Sequence, residues 1–144
     1  MNVTMMLCDA AQAVNGKLYV LGGGWNIIGP EPSPTGIAIL VRVPWDEANR
    51  RHRLRLELVT EDGQPVHLDG PKGLQPVQIS AEFEVGRPVG HRPGRPLPVT
   101  PGINVGPLPL KADTHYEWRC YIDDETRDDW RMEFSTRSQV RQPA

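Results

Sequence analysis

Arg53-Leu54-Arg55-Leu56-Glu57-Leu58-Val59 decides the class of fold. Leu54, Leu56 and Leu58 fall on one side of an extended chain, and Arg53, Arg55 and Glu57 on the other. One dry face and one wet face mark a strand of an antiparallel sheet. Working outward, the same period of two recurs. Pro76 to Val85 puts Val77, Ile79, Ala81, Phe83 and Val85 inward. His115 to Asp123 puts Tyr116, Trp118, Cys120 and Ile122 inward, and Trp130, Met132 and Phe134 line a last strand. Upstream, Ile37 to Val43 is rich in β-branched residues, as a central strand prefers.

The remaining pieces are shorter. Met1 to Asp9 reads as a first strand with both faces largely covered. Asn15-Gly16 is a tight-turn signal leading into Lys17 to Gly22. Gly22 to Gly24 offers a bulge, beyond which Trp25 to Ile28 continues the strand. Pro65 to Leu68 is a short edge strand. Val99 to Leu110 holds three prolines and is an interrupted edge. Pro44 to Arg51 is the one helix-like piece: proline opens it, acids fill its first turn and bases its last.

The count is eight or nine strands with one short helix near 44–51. No helices exist to carry parallel crossovers, so the expected fold is an all-β antiparallel β-sandwich. Tyr116 enters a strand near the C-terminus, where its hydroxyl can fold back to upstream backbone, and this favours an immunoglobulin-like layout. A single domain is expected over residues 1–137, followed by a polar tail, 138–144. A chain of 144 residues buries enough surface to fold without staples. Its 14 glycines and 15 prolines lie between apolar runs, as turn punctuation does.

The net charge of −2 argues against bulk affinity for nucleic acid. No uncharged apolar run approaches the roughly 20 residues that span a bilayer. The start, Met-Asn-Val-Thr-Met-Met-Leu-Cys-Asp, does not read as a secretory signal, so a cytoplasmic location is expected. Cys8 and Cys120 are then expected as free, buried thiols, and their spacing leaves a bridge between them open.

Several stretches resemble a known family. They are Met6-Leu7-Cys8-Asp9, Gly16-Lys17-Leu18-Tyr19-Val20-Leu21-Gly22-Gly23-Gly24-Trp25, Pro44-Trp45, Phe83-Glu84-Val85-Gly86-Arg87-Pro88 and Tyr116-Glu117-Trp118. Together they are similar to a bacterial, largely actinobacterial, family of uncharacterised single-domain proteins, a domain of unknown function with a Cys-Asp…Gly-Lys-Leu opening. The resemblance implies a bacterial origin and assigns no chemistry.

Motifs for chemistry are sparse. Gly22-Gly23-Gly24 lacks the Lys-Ser/Thr and the helix of a phosphate loop, so a bulge that re-aims Trp25 is the better reading. His115 with Glu117, and His67 with Asp69, sit two apart on strands, yet neither pair forms a ligand motif. Asp123, Asp124, Glu125, Asp128 and Asp129 match no calcium loop and read as a solvated hairpin tip. No serine sits in a nucleophile elbow. No catalytic residue, cofactor or metal ligand is expected.

The unusual segment is Gly86 to Pro98, with Arg87-Pro88, Arg92-Pro93 and Arg95-Pro96 around His91. Prolines lower the cost of ordering such a loop on a partner, and arginines suit carboxylates and phosphates. Trp25 and Trp45 could serve an interface or a stacking platform. The candidate interaction residues are therefore Arg87, His91, Arg92, Arg95, Trp25 and Trp45. The expected function is a non-enzymatic binding or assembly module, acting through loops and edges on a protein partner or on a second copy of itself. A binder of a small sugar or anion is the alternative, and a metal-dependent hydrolase ranks third.

Overall fold

The computed structural model describes residues 1–139. Thirteen strands are present among them: β1 (Asn2–Cys8), β2 (Ala10–Val14), β3 (Lys17–Leu21), β4 (Ile27–Ile28), β5 (Thr35–Val43), β6 (His52–Thr60), β7 (His67–Gly70), β8 (Gly73–Pro76), β9 (Gln78–Phe83), β10 (Leu97–Val99), β11 (Gly102–Val105), β12 (His115–Ile122) and β13 (Arg131–Thr136). The expected eight or nine undercounts them. Turns and prolines divide what looked like longer runs, and the β2 and β7–β8 segments carry weak alternation. The expected polar tail lies outside the described residues from 140 onward.

One sheet has β5 at its centre. β1 pairs along one side of β5, and β10 and β11 share the other. Pro101 lies between β10 and β11, and its carbonyl still accepts a bond from the Ile39 N–H at 3.1 Å. The second sheet runs β4-β13-β12-β6-β9. All pairings are antiparallel except β4 with β13. β2–β3 and β7–β8 are separate two-stranded ribbons.

Both main sheets feed one core. Val3, Leu7, Ile37, Ile39, Val41, Val43 and Leu97 come from the first, and Leu54, Leu56, Leu58, Tyr116, Trp118, Cys120, Ile122, Met132 and Phe134 from the second. The alternation read in β6, β12 and β13 is the burial pattern observed. In β9 it is weaker: Ile79 and Phe83 are half-buried and Ala81 is exposed, because this strand ends its sheet.

The β2–β3 ribbon lies across the outer face of the first sheet, closing Cys8, Ala11 and Ala38 into a second, smaller cluster. The approach demands glycine. A Cβ on Gly36 would stand 2.8 Å from Cys8 Sγ and 2.9 Å from Ala10 Cα, and one on Gly102 would stand 3.0 Å from the Gln12 nitrogen. Asn104 then fastens the ribbon. Its Oδ1 accepts the Ala11 N–H at 3.0 Å and its Nδ2 donates to the Ala11 carbonyl at 2.7 Å. One side chain thus satisfies the outer edge of β2 as a neighbouring strand would.

Two expectations are corrected. The helix near 44–51 is a single 3-10 turn, Trp45–Glu47. Two turns cannot hold themselves, and here Ala48 is already extended and buried while Asn49 turns left-handed at φ 59° to donate to the Val85 carbonyl. Trp25 to Ile28 does not continue β3. After Gly24, at φ 94°, the chain crosses to the other sheet, where β4 joins β13. The Tyr116 hydroxyl does fold back, accepting the Lys111 N–H at 3.1 Å.

Candidate functional site

The Arg/Pro segment is ordered by two successive turns. The His91 N–H donates to the Pro88 carbonyl at 3.1 Å, and the Arg95 N–H to the Arg92 carbonyl at 3.3 Å. Gly90 (φ 90°) and Gly94 (φ 82°) occupy the third position of each, where a type II turn needs a left-handed residue, and Pro93 supplies the fixed second position. The first turn carries Val89 fully exposed at its tip. The second places Arg92 and Arg95 at its two ends, which a β-turn keeps within about 7 Å at the Cα atoms.

Trp45 anchors this loop. The Arg87 guanidinium lies 4.7 Å from the indole centre, and its Nε and Nη2 donate to the Trp45 carbonyl at 3.2 and 2.7 Å. The His91 ring stacks on the same indole at 5.9 Å and 25°. Four of the six candidate residues, Arg87, His91, Arg92 and Arg95, therefore belong to one unit built on a fifth, Trp45. The stacking partners of Trp45 come from within the chain, so it anchors the loop. Trp25 is elsewhere, half-buried and edge-on to Phe134 at 6.4 Å.

Beside Trp45 opens a cleft of about 480 Å³, lined by Met1, Asn2, Arg42, Pro44, Asp46, Gly94 and Pro96 among others. Arg42 faces it from β5, where it pairs with Pro98 of β10; among the described residues its guanidinium makes one hydrogen bond, a long one of 3.5 Å to Thr4 Oγ1. Among the described residues no carboxylate lies within 4 Å of Arg42, Arg87, Arg92 or Arg95. Sequence reading missed Arg42, because only the β5–β10 pairing brings position 42 beside the loop.

The acidic turn is different. Asp123 and Asp124 sit left-handed at φ 53° and 65°, closing a tight hairpin turn. Asp123 Oδ2 accepts the His52 Nδ1–H at 2.7 Å and its Oδ1 accepts the Arg53 N–H at 2.9 Å. Asp124 pairs with Arg55 at 2.6 Å, and Asp128 with Arg131 at 3.5 Å. Three of its acids thus have partners inside the chain.

His52 is 5% exposed, and its Nε2 lies 2.9 Å from the Glu47 carbonyl. Both ring partners are acceptors only, an arrangement that favours the doubly protonated ring. Burial works against that charge, but the bonds to Asp123 and Glu47 outweigh it and raise the His52 pKa. Burial likewise works against the Asp123 carboxylate, and His52 and the Arg53 N–H lower its pKa regardless. The ring also stacks on Phe83 at 5.3 Å. Nothing in the sequence near His52 points to Asp123, 71 residues away.

Cys8 and Cys120 are both free and buried. Burial pushes the Cys120 thiol up to about 12, and burial, then the Asp9 charge, raises Cys8. Such thiols are poor nucleophiles. Among the described residues no three histidines, cysteines or acids group as a metal site, and no helix is long and apolar enough to cross a membrane.

A model of a family of unknown function (DUF6941) matches residues 3–135. The chain belongs to this family. No curated protein and no solved structure matches it.

Proposed function

We propose that this member of a family of unknown function is a non-enzymatic recognition module, whose Arg87–Pro98 loop grips an acidic segment of a protein partner. The observation that carries the reading is the Arg92/Arg95 pair, held on one hydrogen-bonded turn with no carboxylate within 4 Å among the described residues. Arg42, with no carboxylate within 4 Å among the described residues, adds a third cation at the same end, and Val89 adds an apolar contact at the tip. Arginine forks suit carboxylates, and a preorganised loop loses little entropy on binding.

The scaffold is read as a two-layer sandwich of immunoglobulin type, supported by the shared core and the Tyr116–Lys111 bond. A bacterial cytoplasm suits two buried free thiols. Self-association is the second reading, favoured by β1 and β9, which each end a sheet with one edge unpaired over most of its length.

The test uses a fluorescent hexaglutamate peptide and anisotropy at low and high salt. Arg92→Glu with Arg95→Glu should weaken binding about tenfold or more, as loss of charge-assisted bonds implies, and leave the melting temperature unchanged. Equal affinity in the double variant would sink the loop's role. A sedimentation experiment addresses the second reading: a monomer at all concentrations would remove it.

A further inference from the structure

The outer ribbon leaves one strand edge unguarded. Ala11 turns its N–H and C=O away from β3, since Asn104 takes both. Ala11 opposes Val20, and Ala13 opposes Leu18, so these are the pairs of the ladder without mutual hydrogen bonds. Val20 and Leu18 therefore aim their own N–H and C=O at the far edge of β3. β3 pairs with β2 alone, and among the described residues no other hydrogen bond reaches Leu18 or Val20. The outer face of the ribbon is apolar and open: Tyr19 is 55% exposed and Leu21 70%. Val20, on the face toward the sheet, is still 37% exposed, so the body does not fill the space beneath this edge.

Other edges of the molecule carry devices against pairing. Pro98 and Pro101 interrupt the β10–β11 side, Glu82 lies on β9, and Trp25 and Met132 stand beside β1 across a shared cleft. β3, Lys-Leu-Tyr-Val-Leu, has no proline, and its one charge is at its end. Its residues suit a strand, and its edge is the kind that takes another strand.

We propose that β3 pairs antiparallel with β3 of a second copy across a twofold axis at Tyr19, joining the two ribbons into one four-stranded sheet. This rests on the self-association reading and deepens it by naming the edge; it is independent of the Arg92/Arg95 loop. Leu18 exchanges both backbone bonds with Val20 of the second copy, and Val20 with its Leu18. Among antiparallel registers that set outward-pointing residues opposite each other, this one alone pairs the whole of Lys17–Leu21. Tyr19 meets its twin as a pair without mutual bonds, the Cα atoms about 4.5 Å apart, where side chains approach closely. Lys17 comes opposite Leu21 of the second copy and not opposite another lysine. Beside Leu21, the Asp9 carboxylate lies against Gly22. Among the described residues neither Lys17 nor Asp9 has an ion partner within 4 Å. The twofold brings these opposite charges toward each other once on each side of the axis, and a contact that maps onto itself closes at two copies.

The test is sedimentation of the full chain over a range of concentrations, with cross-linking as a second readout. The unaltered chain should pass from monomer to dimer as concentration rises. Tyr19→Glu sets two carboxylates against each other at the axis and should raise the dissociation constant about tenfold or more. The melting temperature of the dilute monomer should not fall, because the Tyr19 side chain lies on the open face. Tyr19→Cys should join two chains by a disulfide under diamide, since the opposed Cα atoms fall within the span that a disulfide bridges. Val14→Cys, on β2 and away from the axis, should cross-link far more slowly; the native thiols are buried. A monomer at every concentration overturns this inference together with the self-association reading. A dimer that Tyr19→Glu leaves equally tight, or in which Tyr19→Cys cross-links no faster than Val14→Cys, overturns the β3 pairing alone and leaves the association to another edge.

Discussion

His52 shows what one buried side chain does for three segments. Its ring ties the Trp45–Glu47 turn to the start of β6 and to the Asp123 turn. Its pKa is raised above the ordinary 6.5, so its contribution to stability is complete below about pH 6.5 and is lost as pH rises through the raised value. That of Asp123 runs the other way: its pKa is lowered from 3.8, so the contribution is complete above that value and fades as pH falls through the lowered one. The pair thus supports the fold best between about pH 4 and 6.5. We expect the urea midpoint to fall between pH 6 and 9, and this fall to flatten in His52→Gln. Asp123→Asn at pH 6 should cost about 1–2 kcal/mol, the low end for a charge-assisted bond because Asp123 is half exposed. Tyr116→Phe removes one hydroxyl bond and should cost about 1 kcal/mol at any of these pH values. Tyr116 was legible from its place at the start of a strand. His52 was not, because a histidine's meaning lies in partners that only the closed fold supplies.

At the scale of elements, legibility followed the period of two. β6, β12 and β13 bury every second side chain against one core, so their sequences announce them. β4 does not announce itself, since two isoleucines gain their strand only from Ser135 and Thr136. The β2–β3 ribbon was half legible: Asn15-Gly16 marked its turn, while nothing marked the sheet face that receives it. That face is encoded in absences of side chain, at Gly36 and Gly102. Gly102→Ala should press on the Ala11–Gln12 backbone and loosen the ribbon. Amide exchange should quicken over residues 10–21 and stay slow in β6 and β12. Asn104→Ala should do the same and cost about 2–3 kcal/mol for two lost bonds to a buried residue. The loop at Gly86 to Pro98 was legible as a composition, and its two turns follow from its own Pro and Gly positions. Its anchoring on Trp45 was not, because an indole reads alike whether it awaits a ligand or holds a loop.

For the whole molecule, the core shared by two sheets keeps Cys120 out of reach, and the small cluster under the β2–β3 ribbon does the same for Cys8. Neither Cys8 nor Cys120 should react with a thiol reagent at pH 8 until denaturant opens the chain, when both should react together; early labelling of Cys8 alone would show the ribbon opening by itself. The all-β class was readable because every long alternating run has the same period; the partnership of sheets was not, because β5 meets β1 and β11 from opposite ends of the sequence. The Asn104 clasp has a consequence in time. Ala11 and Asn104 are 93 residues apart, and ribosomes add about 5–20 residues per second. A nascent chain therefore carries its first ribbon for about 5–20 s before the residue that fastens it is even made. Throughout that interval Cys8 and Ala11 have no finished seat.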